Sequence, residues 1–107
     1  SPAFARRAFS EEERAYCDAT ATPEFHYATR FAAKEAVVKA FGTGFAGIDA
    51  CEVEILRRES GAPYVTLYGA ARKKAEEMGI TDWKISITNT KEVATAFVIA
   101  VADDVKE

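Results

Sequence analysis

The feature that most constrains the fold is a long helix-forming run that ends at a glycine turn. Between Pro23 and Phe41 the chain is rich in Ala, Lys, Glu and Arg, and Gly42-Thr43-Gly44 follows at once. These residues favour helix, whereas glycine just after the last turn adopts the left-handed conformation that ends one. Thr22 followed by Pro23 is typical of an N-cap and a first-turn proline. The sequence therefore predicts one helix over 23–41.

The segments around this helix give shorter signals. Ser10 and Glu13 form a capping box, which predicts a helix that ends near Asp18. After Gly47 the apolar residues recur at every second position, which is typical of a strand that is solvated on one face, here the face with Glu52 and Glu54. Strands are expected at 51–56, 64–67, 83–88 and 94–102, the first two as a hairpin, and a helix at 69–78. This order predicts an α+β fold with a mainly antiparallel sheet, as a single domain over 1–107.

The long helix also carries the candidate chemical groups. Glu35 and Lys39 are four residues apart, so they share a face and can either pair with each other or approach a common ligand. A carboxylate and an ammonium beside a Gly-Thr-Gly turn could hold a metal ion and a phosphate. Glu35 lies off the predicted buried stripe of the helix. The apolar residues whose spacing predicts this stripe are Ala33, Val37, Ala40 and Phe41.

Composition excludes several functional classes. The 107 residues are 49% hydrophobic and 29% charged, as in one ordinary globular domain. No apolar run approaches the roughly 18 residues of a membrane span, and no signal peptide is recognisable, so a cytoplasmic protein is expected. A net charge of −3 argues against nucleic-acid binding. Cys17, Cys51 and a single His cannot form a standard zinc site. Basic clusters at 6–7 and 72–74 are either solvated faces or docking sites for an acidic partner.

The run 30–44, Arg-Phe-Ala-Ala-Lys-Glu-Ala-Val-Val-Lys-Ala-Phe-Gly-Thr-Gly, resembles the signature of holo-acyl-carrier-protein synthases, the small 4′-phosphopantetheinyl transferases. That signature is an aromatic residue, two variable positions, Lys-Glu-Ala, two variable positions, Lys, and a Gly-Thr-Gly turn. Segments 9–17, 61–67 and 86–98 resemble other parts of the family in the same order. The resemblance implies a phosphopantetheinyl-transferase-like fold and Mg²⁺-dependent transfer of 4′-phosphopantetheine from coenzyme A to an acyl carrier protein serine, as in fatty acid biosynthesis.

The resemblance also implies roles for individual residues. Glu35 matches the carboxylate that binds Mg²⁺, and Lys39 would neutralise charge that develops on the phosphates. Together these two residues are the catalytic pair that the resemblance implies. It further implies a homotrimer with active sites between subunits. The coenzyme A ligands implied by the motifs are Arg30, Lys39, Gly42, Thr43, Gly44, Asn89 and Thr90.

Two departures from the family pattern leave other functions open. Family members open with an apolar strand whose Asp is a further Mg²⁺ ligand, whereas this sequence begins at Ser1 and has no Asp before Asp18. The domain is therefore expected to lack that strand, and the metal site to be half built. Asn89 stands where the family usually has His, and an amide carries no positive charge. The alternatives are a relative that binds coenzyme A or a carrier protein without turnover, and a small α+β interaction domain with an accidental motif match.

Overall fold

The computed structural model describes residues 3–90 and 92–102, and of Asn89 the backbone alone. The helices are α1 (Ala3–Ala8), α2 (Glu11–Asp18), α3 (Pro23–Phe41) and α4 (Gly69–Glu77), with a short 3₁₀ turn at Ala50–Glu52. The strands are β1 (Val53–Arg57), β2 (Pro63–Leu67), β3 (Ile80–Asn89) and β4 (Ala94–Ala102). Strands β1 and β2 pair antiparallel, as do β3 and β4. The predicted α+β fold with antiparallel pairing is confirmed.

Helix α3 is the central element, because it contacts both hairpins and α2. Its C-terminal half, with Val37 and Phe41, belongs to a large apolar cluster with β1 and α4. Its N-terminal half contributes Tyr27 to a smaller cluster, in which Phe9 is buried between α1 and α2. The helix is thus held along its whole length, which makes it a rigid base for the side chains on its remaining face.

The helix ends follow the sequence signals closely. Ser10 Oγ accepts a hydrogen bond from Glu13 N at 3.2 Å, and Ser10 N donates to Glu13 Oε1 at 2.9 Å, so the capping box is confirmed. Gly42 ends α3 with φ of 79°, and its N–H donates to Lys39 O at 2.9 Å. Thr22 is the N-cap residue of α3, as predicted, but its hydroxyl makes no capping hydrogen bond. Proline in the first turn is therefore the signal that marked this start.

Two burial predictions were wrong. Ala40 is exposed and Val38 is buried instead, because α3 contacts several elements and its buried face is wider than one apolar stripe. Glu54 was expected on a solvent face but is buried, because Ser10 Oγ and Tyr68 OH donate hydrogen bonds to its two carboxylate oxygens at 2.6 and 3.0 Å. A buried carboxylate with two donors avoids most of the cost of an unpaired charge.

Some element bounds also differ from expectation. Helix α1 was not predicted, and Cys51 lies in the 3₁₀ turn rather than in a strand. Strand β3 begins at Ile80, three residues before the expected start. Cys17 is buried and Cys51 is half-buried, and neither forms a disulfide. Within the described ranges, no helix has the length and apolar character that a membrane crossing requires.

Candidate functional site

Glu35 projects from the outward face of α3 into an apolar cavity of about 610 Å³. It is exposed, as its position off the buried stripe predicted. Glu24 is the other carboxylate at this cavity, and the remaining lining residues are apolar or aromatic: Phe4, Ala5, Tyr27, Ala28, Phe31, Ala32 and Ala94. A mostly apolar cavity with few charged groups is typical of a ligand site.

The spacing of residues on α3 explains how this cavity forms. Ala28, Ala32 and Glu35 recur every three or four residues, so they share one face of the helix. The alanines leave that face shallow, and Phe4 of α1 forms a wall across from it. The Phe4 ring lies 6.4 Å from that of Phe31, which in turn stacks at 5.6 Å on Phe45 after the glycine turn. Small residues on the floor and aromatic residues at the walls therefore create the space.

The cavity offers one carboxylate to a divalent cation. No group of three or more His, Cys, Asp or Glu residues suited to a metal is found in residues 3–90 and 92–102. Glu24 precedes Glu35 by eleven residues, which is roughly 16 Å along a helix, too far for both to bind one ion. Mg²⁺ commonly takes one or two protein carboxylates and completes its shell with water and substrate phosphates. Glu35 therefore fits a Mg²⁺ ion that is bound mainly through a phosphorylated ligand.

Lys39 and the glycine turn lie beyond Glu35 on α3. Lys39 is exposed, and in the part of the chain that the structure describes no ion pair joins it to Glu35. The N–H groups of Thr43 and Gly44 both donate to Val38 O, at 3.3 and 3.2 Å. These two amides and that of Gly42 already donate hydrogen bonds to carbonyls of the last helical turn, so they are not free to bind a phosphate. The space beside the two glycines is open, however, so a ligand can approach the turn.

Thr43 lines a second, smaller cavity of about 250 Å³, which the sequence did not predict. Lys73, Lys74 and Glu77 of α4 line it as well. The signal for it was the basic cluster at 72–74, of which Arg72 pairs instead with Glu76 at 3.5 Å on the surface. Thr43 follows Glu35 by eight residues, about 12 Å along the helix direction. Of the predicted site residues, Glu35 lines the first cavity and Thr43 the second.

Arg30 and Lys34 point into the protein, and neither lines either cavity. Arg30 is 1% exposed, its Nε donates to Ile55 O at 3.1 Å, and its guanidinium lies 4.1 Å from the Tyr16 ring centroid. These contacts hold α3 to β1 and α2, and the contact of Arg30 with coenzyme A stays a prediction. Lys34 is completely buried and pairs with Glu13 at 2.8 Å. Lys34 is therefore not available for a surface ion pair with Glu35.

The turn between β3 and β4 begins beside the Glu35 cavity. Asn89 pairs in register with Ala94, which lines that cavity. The side chain of Asn89 lies outside the described residues, so its predicted contact is not tested. Thr90 is exposed in this turn, and its Oγ1 accepts a hydrogen bond from Val93 N at 3.0 Å. The fold thus brings the 86–98 segment and the α3 signature to one region, although they are far apart in sequence.

His26 lies outside both cavities. Its ring contacts that of Tyr16, with centroids 5.7 Å apart. Partial burial lowers the pKa of His26, and the nearby positive charges of Arg30 and Arg57 lower it further. The imidazole is therefore neutral at pH 7 and is not placed to act on a ligand in either cavity.

Comparison with known proteins identifies the family to which this architecture is similar. A model of the 4′-phosphopantetheinyl transferase superfamily matches residues 1–101. The holo-acyl-carrier-protein synthase of Lachnoclostridium phytofermentans is 54% identical over 72 residues, which are 67% of this chain and 59% of that protein. That of Natranaerobius thermophilus is 41% identical over 94% of this chain and 80% of its own length. The Helicobacter pylori synthase, solved in complex with coenzyme A, matches with a TM-score of 0.79 at 26% identity, over 92% of this chain and 81% of that one.

Proposed function

The chain belongs to the 4′-phosphopantetheinyl transferase superfamily, and we propose that it transfers 4′-phosphopantetheine from coenzyme A to a serine of an apo acyl carrier protein. Two of its relatives are named for this activity, and a similar structure contains coenzyme A. The observation that carries the proposal is the exposed Glu35 in an apolar cavity, with Lys39 one turn further along the same helix. Coenzyme A has a weakly polar pantetheine arm, which matches the apolar cavity, joined to a pyrophosphate, which matches the exposed Lys39 one turn further along α3.

In the proposed reaction the carrier serine oxygen attacks the phosphorus that bears the pantetheine arm. The bond from that phosphorus to the bridging pyrophosphate oxygen breaks, and adenosine 3′,5′-bisphosphate leaves with the electron pair. Glu35 would hold Mg²⁺, which when bound withdraws charge from the pyrophosphate oxygens. Lys39 would neutralise the negative charge that develops on the leaving group. The serine proton passes to water, since no histidine lines either cavity in the described ranges.

The proposal includes association of several copies, which we expect to be a homotrimer. Strand β4 lies at a sheet edge, and its outer face shows Phe97 at 67% and Ile99 at 65% exposure. Val101 continues this apolar row. An edge strand with a contiguous apolar face is typical of a surface covered by another chain. Burial of this row between copies would stabilise a small single domain.

The experiment is transfer by the full-length protein with coenzyme A, MgCl₂ and an apo carrier protein, followed by mass spectrometry. We expect one phosphopantetheine per carrier, and none when the divalent cation is chelated. Glu35→Gln should lower kcat by about 100-fold or more, because loss of a group that organises transition-state charge has effects of that size. Glu24→Gln is the matched control from the same helix and cavity, and it should stay near wild type. No transfer by the wild-type protein would refute the proposal, and an active Glu35→Gln variant would refute the role of Glu35.

The second candidate is a relative that binds coenzyme A without transfer, which the uncharged Asn89 favours. Calorimetry with coenzyme A measures binding, and the transfer assay measures modification of the carrier; the two results together decide between the functions. Binding of coenzyme A together with no modified carrier at any enzyme concentration would establish the second function and exclude the first.

A further inference from the structure

A buried network of polar groups includes Lys34, the residue that precedes Glu35 on α3. Lys34 and Glu13 are both 0% exposed and form an ion pair at 2.8 Å. The three N–H donors of the Lys34 ammonium have three acceptors, since Lys34 also donates to Ala50 O and Val53 O. This ion pair joins α2, α3, the 3₁₀ turn and β1 at a single point.

Glu13 has equally complete hydrogen bonding. Its Oε1 accepts from Ser10 N at 2.9 Å as well as from Lys34, and its Oε2 accepts from Ile55 N at 2.8 Å. Such a network is expensive to bury, and only complete pairing makes it tolerable. A buried ion pair rarely adds net stability over apolar residues of similar size. A contribution to stability therefore does not explain why Lys34 and Glu13 are paired in the core.

On the cavity side of α3, two alanines leave room between the helix and its neighbours. Ala28 and Ala32 line that side and leave about 610 Å³ of open space against α1 and β4. Tyr27 and Phe31 pack in the smaller apolar cluster, and directional hydrogen bonds on the buried side of α3 also fix its rotation. There Arg30 donates to Ile55 O, and Lys34, one turn later, makes its three hydrogen bonds.

Lys34 and Glu35 are adjacent, so they point about 100° apart and turn together with the helix. A carboxylate lies roughly 6 Å from the helix axis, so a rotation of about 10° moves it by ~1 Å. Displacement of a catalytic group by about 1 Å can lower a rate by ~100-fold. The three hydrogen bonds of Lys34 therefore also constrain where the Glu35 carboxylate lies.

We infer that Lys34 is a positioning residue for the transfer reaction, and that its pairing with Glu13 and the β1 backbone sets the location of the Glu35 carboxylate. The inference rests on the proposed function, since it assigns Lys34 a role through Glu35. It predicts that a Lys34 variant is impaired in the chemical step beyond its loss of stability, while coenzyme A still enters the unchanged apolar cavity.

The test compares Lys34→Gln with Val37→Ala, a buried apolar truncation one turn along the same helix that leaves the network intact. Both are assayed at a temperature where circular dichroism shows them folded, and kcat is expressed per folded molecule. We expect Lys34→Gln to lower kcat by about 10-fold or more with KM for coenzyme A within about threefold, as for a group acting on transition-state geometry. Val37→Ala should keep kcat within about threefold of wild type on the same reasoning.

Glu13→Gln keeps the inference falsifiable if Lys34→Gln does not fold. It leaves Lys34 its two backbone acceptors, so kcat should fall, but by less than in Lys34→Gln. Equal kcat losses in the network variants and Val37→Ala, or a network variant with wild-type kcat, would overturn the inference. Glu35→Gln separates the two proposals: if it is inactive while Lys34→Gln has wild-type kcat, only the positioning role fails, and if it is active, both fail.

Discussion

Gly69 at the start of α4 provides a direct test of how this fold is held together. Its φ is 55°, and a Cβ added there would lie 2.0 Å from Glu52 Oε2. That oxygen accepts a hydrogen bond from Ala70 N at 2.9 Å, while Oε1 of the same carboxylate accepts from Asp49 N at 2.9 Å. Glu52 thus links the 3₁₀ turn to the first turn of α4. Gly69→Ala should break the link to α4.

The cost has two parts. Forcing alanine into the left-handed region costs roughly 1–2 kcal/mol. Moving the Glu52 carboxylate away from Ala70 N removes a helix N-terminal cap, which is worth about 1 kcal/mol. Gly69→Ala should therefore destabilise by about 2–3 kcal/mol, or lower Tm by ~10–15 °C in a domain of this size. Gly79→Ala is the matched control, because Gly79 has φ of 71° but open space where its Cβ would be. Gly79→Ala should therefore lower the free energy of unfolding only by the cost of the left-handed conformation, roughly 1–2 kcal/mol.

The assay is urea unfolding followed by circular dichroism, at one protein concentration because association would contribute to stability. A double-mutant cycle isolates the contact: in a Glu52→Ala background, Gly69→Ala should cost about 1 kcal/mol less than it does in wild type. Equal effects of Gly69→Ala in the two backgrounds, or equal losses in Gly69→Ala and Gly79→Ala, would refute the reasoning.

Three further predictions concern other parts of the molecule. Tyr68→Phe removes a hydrogen-bond donor to the buried Glu54 carboxylate, so it should lower the free energy of unfolding in urea by about 1–2 kcal/mol. A change within about 0.3 kcal/mol, roughly the error of such measurements, would contradict this prediction. Because the pKa of His26 is lowered, the unfolded state binds its proton more readily, so stability falls as pH drops below about 6.5 through the folded-state pKa. His26→Gln should flatten that part of a Tm-versus-pH curve, and an unchanged slope would exclude His26 as its source. Phe97→Glu should shift sedimentation toward monomer with helix content intact, whereas an unchanged oligomer would remove the β4 face from the interface.

Local signals in the sequence were sufficient for much of the fold. The capping box at Ser10 and the glycine that ends α3 each depend on residues within a few positions of one another, and the structure confirms both. The predicted solvated face of 51–56 was wrong, because Glu54 is buried. Helix α1 could not be predicted in this way, because six residues do not form a stable helix alone. It forms where Ala5 and Ala8 pack into the smaller apolar cluster.

The candidate site likewise has some features that the sequence predicted and others that only the folded structure shows. The exposure of Glu35 followed from its position off the predicted apolar stripe. The second cavity did not, since it requires α4 to lie against the turn that contains Thr43. Nor does helix periodicity show that three of the amides in that turn are already bonded to carbonyls of α3.

The sequence by itself determined where α3 begins and ends, which face of it carries Glu35, and the family to which the chain belongs, because these depend on local propensity and on a contiguous motif. Tertiary structure alone decided the burial of Lys34 and Glu54. Lys34 meets Glu13 across 21 positions, and Glu54 meets Ser10 across 44. A charged side chain is buried only where the fold supplies partners for its hydrogen bonds, and those partners come from elements that no local pattern connects.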